Sequence, residues 1–173
     1  GRRFVELNEA RGDIQVRVVT EGRKLKIIEC VSSRLCTKLE ELGKLSPDGY
    51  LDVYEAGYLA YKGMLELNGK VGDTAFEKIL PLIDDFLMFQ VYLDLRKRGK
   101  RVIRGPAKRS LLIIEPNRII EVHVLGEGEH ITPGALADLA DYSTANSRIP
   151  IVAIVDSTGI ITYYNMRRSD NIL

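Results

Sequence analysis

The stretch SLLIIEPNRIIEVHV, residues 110–124, decides the reading of this chain. Two apolar runs flank the short polar turn Pro116-Asn117-Arg118, the pattern of two buried strands joined in a hairpin. Just before it lies RKRGKRVIRGPAKR, residues 96–109, with eight Lys or Arg and no acid. A basic run beside a tight hairpin is a candidate phosphate-binding patch and suggests a nuclease. The turn offers only Glu115, Asn117 and Arg118 for chemistry, and one histidine, His123, sits inside the second strand.

The flanking segments extend the pattern. DDFLMFQVYLDLRKRG, residues 84–99, is the clearest helix: apolar residues recur at three to four, acids lead, bases fill the last turn, and Gly99 ends it. KRVIR, residues 100–104, is a strand. TPGALADLADYSTAN, residues 132–146, is a helix with Thr132 as N-cap and Pro133 at its first position. IPIVAIVD, residues 149–156, is nearly all apolar and predicts a central strand covered on both faces. STG is a turn, and IITYYNM, residues 160–166, is the last strand.

Upstream, FVELNE, DIQVRVVT and KLKIIEC read as strands separated by Gly-containing turns. Helices are expected over residues 32–43, with Gly43 as C-cap, and over residues 50–63. Another is expected over residues 73–83, capped by Asp73 or Thr74. The order of elements changes near residue 84. The expected fold class is therefore α/β: an α+β domain over residues 1–83, then an α/β domain with a mixed central sheet over residues 84–173.

Composition bounds the function. At 173 residues and 45% hydrophobic the chain can bury a core, and its net charge is only +1. Any nucleic-acid affinity must then come from a local patch, not from the field of the whole molecule. Two cysteines, Cys30 and Cys36, are too few for a zinc site or a disulfide scaffold; they read as free thiols in a reducing compartment. No apolar run approaches a membrane span, and the first residues lack the apolar segment of a signal peptide, so a soluble cytoplasmic protein is expected.

The motifs VYLDLRKRG (residues 91–99), Gly105 ahead of a strand and hairpin, and IVAIVDSTGIITYY (residues 151–164) are similar to those of the archaeal tRNA-splicing endonuclease family. YLDVYEAGYLAYKGMLEL (residues 50–67) resembles a helix of the same family. The resemblance covers most of the chain from about Tyr50 onward. It implies a two-domain architecture with a nuclease-type second domain. It also implies metal-independent, cofactor-free cleavage of pre-tRNA at bulge-helix-bulge sites, in which a 2′-oxygen attacks its own phosphate. The products are a 2′,3′-cyclic phosphate and a 5′-hydroxyl.

That reaction needs a base for the 2′-hydroxyl, an acid for the leaving oxygen and a cation for the extra charge on phosphorus. The family supplies Tyr, His and Lys. Carried onto this sequence, the Tyr position is Glu115, the His position is Asn117 with Arg118 as the neighbouring choice, and the Lys position is Arg148. A carboxylate can serve as a base, but Asn117 does not titrate and Arg118 is a poor acid. Arg148 keeps the positive charge and can hold a phosphate. The resemblance therefore implies a structural subunit, inactive alone, in a two-plus-two assembly with a related triad-bearing subunit.

The family further implies that the acidic turn at Asp156 and the strand of Ile160, Ile161, Tyr163 and Tyr164 meet neighbouring subunits. Candidate RNA contacts are Arg104, Lys108, Arg109 and Arg148, with Arg167 and Arg168 placed where the family stacks an arginine on a bulged base. Two other functions stay open: a stand-alone RNA-binding protein, and an active homo-oligomer with Glu115 as base. His123 reads as a satisfied core or interface histidine, and His130 as a loop residue. Tyr54, Tyr58 and Tyr61 read as one packing face of a helix, and Lys44 as a solvated turn charge.

Overall fold

The computed structural model describes residues 13–166. FVELNE, Arg167 and Arg168 lie outside those residues. The chain divides into two compact units, the first ending at Asp84 and the second beginning at Asp85. Among the described residues are five α-helices and two mixed sheets, an α/β architecture.

In the first unit, β1 (Val16–Glu21), β2 (Lys24–Cys30), β3 (Tyr50–Leu51) and β4 (Leu65–Leu67) form a sheet of order β3-β2-β1-β4. β1 and β2 are an antiparallel hairpin closed at Gly22, whose φ is 62°. β4 lies parallel to β1, joined to the hairpin through helices. Helix α1 (Ser33–Glu41) starts where the Ser32 hydroxyl accepts from the Leu35 N–H, and Gly43, at φ 72°, ends it in the left-handed conformation a glycine adopts without strain. α2 (Val53–Tyr61) is capped by Asp52, whose carboxylate accepts from the Tyr54 and Glu55 N–H groups. The core joins Val16, Val18 and Leu25 of the sheet to Leu39, Ala56, Leu59 and Ile79 of the helices.

Four expectations change here. α3 (Gly72–Ile79) has no side-chain cap: it starts after Val71, and Asp73 lies within its first turn, where its charge suits the helix dipole. Lys44 is not a solvated turn charge but is 5% exposed, its Nζ 3.0 Å from the buried Glu55. Cys30 and Cys36 are not free thiols but form a disulfide. Cys30 ends β2 and Cys36 lies on the buried side of α1, which folds straight back, so their Cα atoms are 6.2 Å apart. Tyr54 is buried with its hydroxyl on Asp84, and Tyr58 packs against the core, but Tyr61 at the helix end is exposed, edge-on to Phe76.

In the second unit, α4 (Phe86–Lys97) begins where Asp85 accepts from the Met88 N–H and ends before Gly99, at φ 83°. β5 (Val102–Arg104), β6 (Ser110–Glu115), β7 (Arg118–Gly126), β8 (Ile149–Val155) and β9 (Ile161–Asn165) follow in spatial order. All neighbours are antiparallel except β7 and β8, which are parallel and connected by α5 (Pro133–Ala145). Thr132 caps α5 by accepting from the Ala135 N–H, with Pro133 at the first position. β8 is interior, but Ile149, Ile151 and Ile154 are only half-buried. The expected cover on both faces is incomplete because α5 buries little; Ser143 is its one fully buried residue.

Gly105 has a steric reason. A Cβ there would lie 2.1 Å from the Ser110 Oγ and 2.9 Å from the Ser110 backbone carbonyl. Its N–H donates to that carbonyl at 2.8 Å, so the close approach starts the β5–β6 pairing. No helix among the described residues is long and apolar enough to cross a membrane.

Candidate functional site at the hairpin and the adjoining strand ends

Glu115 and Arg118 close the hairpin as a cross-strand pair. Arg118 Nε donates to Glu115 Oε1 at 2.5 Å, and Lys100 Nζ stands 3.8 Å from Oε2. The Arg118 hydrogen bond, helped by Lys100, holds the Glu115 carboxyl below the usual range. Asn117 lies exposed in the turn between them.

Alternation along β6 and β7 puts Glu115 on the face of Ile113, Ile120 and Val122. Tyr163 of β9 reaches Asp94 of α4 on that face. Leu112, Glu121 and His123 point to the opposite face, toward α5. Arg148, one residue before β8, belongs there as well, because its Nε donates to Glu121 Oε1 at 2.9 Å. Glu115 and Arg148 therefore stand at the same end of the sheet but on opposite faces, and Asn117 contributes no titratable group between them.

Arg148 is part of a network the sequence reading missed. Glu121 is fully buried, and its Oε1 accepts from both Arg148 Nε and the Ser143 hydroxyl, the latter at 2.8 Å. Ser143 Oγ is also 2.8 Å from His123 Nε2. A serine hydroxyl has one hydrogen. Donating it to Glu121, Ser143 must accept from His123, so His123 carries its proton on Nε2. Burial pushes the His123 pKa down, which keeps the ring neutral. Burial also pushes Glu121 up, but the hydrogen bonds from Arg148 and Ser143 outweigh it and hold the carboxyl below the usual range. The one signal in the sequence was Glu-x-His inside an apolar strand, which places both on one face. His123 is thus buried as expected but only half satisfied: Nε2 is bonded to Ser143, while Nδ1 is buried with no hydrogen-bond partner among the described residues. His130 is exposed in the loop before α5.

The basic run is partly consumed internally. Arg98 pairs with Asp94 at 2.9 Å and lies over the Tyr163 ring, and Arg96 donates to the Lys100 carbonyl. Arg109 is held between Asp85, the cap of α4, at 3.2 Å and Glu129 at 2.7 Å. Arg104, on edge strand β5, and Lys108 remain exposed.

The Asp156 turn folds on itself. Asp156 Oδ1 accepts from the Thr158 N–H, the Thr158 hydroxyl and the Ile160 N–H, which lowers its pKa. β9 is the other edge of the sheet. Ile160 and Tyr164 are 63% and 52% exposed, so they face outward, while Ile161 is half-buried. Tyr163 turns inward: its hydroxyl donates to Asp94 at 2.7 Å, and burial pushes its pKa up. This joins the DLR segment of α4 to the YY pair of β9, two of the motifs that carry the resemblance.

No family model matches the chain. A tRNA-splicing endonuclease of Pyrococcus horikoshii is 28% identical over 142 residues, covering 72% of this chain and 79% of that protein, and this similarity supports the resemblance read from the motifs.

Proposed function

We propose that this chain is the structural subunit of a tRNA-splicing endonuclease. It supports metal-independent cleavage of pre-tRNA introns at bulge-helix-bulge sites by a related subunit carrying Tyr, His and Lys. The observation that carries the reading is the state of the three positions around the hairpin. Glu115 is ionised and paired, Asn117 cannot titrate, and Arg148 lies on the opposite face from Glu115. A base, an acid and a cation do not converge on one reacting atom there. The relative from Pyrococcus horikoshii supports the family.

In this reading β9 and the Asp156 turn meet the partner subunits through Ile160 and Tyr164, and Arg104 and Lys108 add charge along the RNA. The protein works in the cytoplasm as half of a two-plus-two assembly. The test is to mix the chain with a triad-bearing relative from the same genome and measure the mass of the product. A stable hetero-oligomer is expected. A chain that stays apart from every such relative, yet binds RNA, is instead the stand-alone RNA-binding protein.

A further inference from the structure

Two contacts fix the guanidinium of Arg148. Its Nε–H donates to Glu121 at 2.9 Å, and its Cζ lies 5.4 Å from the centroid of the Tyr142 ring. Glu121 in turn is held by Ser143, and Ser143 by His123. Glu121 takes the Nε–H alone, so the hydrogens on the two terminal nitrogens are not consumed by it. The Arg148 side chain is 14% exposed, whereas Glu121 is fully buried. A buried carboxylate could be neutralised by an equally buried cation; here the cation's side chain is the less buried of the two. A planar guanidinium presents its outer hydrogens as a fork that matches two oxygens of one phosphate. Fixing it in advance removes much of the side-chain entropy that binding would otherwise cost.

We propose that Glu121, Ser143, His123 and Tyr142 are positioning residues that hold Arg148 as a preformed receptor for one RNA phosphate. The inference rests on the RNA-binding reading above and adds the residues that act through Arg148. The pair is neutral in sum, so its contribution comes from geometry more than from net field.

The test is equilibrium binding of the full chain to a labelled bulge-helix-bulge RNA across a salt series. Arg148→Gln is expected to weaken binding about tenfold at physiological salt and to lower the slope of log K against log salt by about one. Arg148→Lys keeps the charge but does not restore affinity. Glu121→Gln gives the discriminating sign. It keeps an acceptor for Arg148 while making the protein more positive. Positioning predicts weaker binding; a carboxylate that merely masks Arg148 predicts tighter binding, which overturns the proposal. An unchanged salt slope in Arg148→Gln overturns it too.

If Glu121→Gln does not fold, Ser143→Ala, which alters no charge, carries the test with the same expected weakening, and wild-type affinity in it is contrary. If the wild-type chain binds no RNA, the RNA-binding reading fails, and inorganic phosphate probes the site alone. A saturable shift of the Arg148 Nε–H resonance, lost in Ser143→Ala, sustains the receptor; no shift refutes it.

Discussion

Replacing Lys44 by Met should be among the most damaging single changes in the first unit. Gly43 turns the chain inward after α1, and the Lys44 backbone is tied on both sides: its N–H donates to Leu39, and its carbonyl accepts from Asp52. The side chain therefore runs into the unit. Its Nζ is 3.0 Å from Glu55 Oε1, with the two side chains 5% and 1% exposed. At such burial the attraction roughly cancels the cost of removing two charges from water, so the pair adds little net stability. Breaking it is another matter: one uncompensated buried charge costs about 3–5 kcal/mol. Lys44→Met keeps the apolar stem and removes the ammonium, so the expected loss is about 3–5 kcal/mol. Glu55→Leu removes the carboxylate that pairs with the Lys44 ammonium and should cost a similar amount. The double variant removes both charges and should recover to within about 1–2 kcal/mol of wild type. Urea unfolding read by hydrogen exchange at β1 and β2 amides isolates this unit. A single variant losing under about 1 kcal/mol, or a double as unstable as the singles, refutes the reasoning.

Other outcomes follow from the same packing. Gly105→Ala should destabilise the second unit by about 3 kcal/mol, because its Cβ meets the Ser110 backbone and the strand pairing holds Ser110 in place; urea melts check it, and a loss under about 0.5 kcal/mol contradicts it. Thiol titration of protein unfolded without reductant should find no free thiol, and two after reduction; two thiols from the start contradict the Cys30–Cys36 bridge. The second unit should lose stability in acid. His123 titrates lower folded than unfolded, so the unfolded chain takes its proton first, and stability present above a pH of about 6.5 falls as the pH drops below it. Glu121, also lowered, adds loss in the same direction at more acid pH. Urea midpoints that hold steady or rise in mild acid contradict this.

Much of the fold was legible because its signals are local. Thr132 with Pro133, and the basic last turn before Gly99, each act within a few residues. The hairpin read correctly because two apolar runs with a polar turn between them have few other solutions. Lys44 and Glu121 were not legible, since a charge looks solvated until its partner is known; Glu55 is 11 residues away, and Arg148 is 27. The cysteines misled for a related reason. Six residues of spacing say little until β2 is seen to run straight into a helix that doubles back. Tyr163 and Tyr164 look alike in sequence, yet alternation sends one to Asp94 and the other to solvent.

The central claim is that the chemistry belongs to a partner. Single-turnover cleavage of a bulge-helix-bulge RNA tests it most directly, run with this chain alone, with a triad-bearing relative alone, and with the two mixed. The account predicts no cleavage by this chain alone and cleavage by the mixture with 2′,3′-cyclic phosphate ends. Cleavage by this chain alone, abolished in Glu115→Ala, contradicts it and identifies an active homo-oligomer with Glu115 as base.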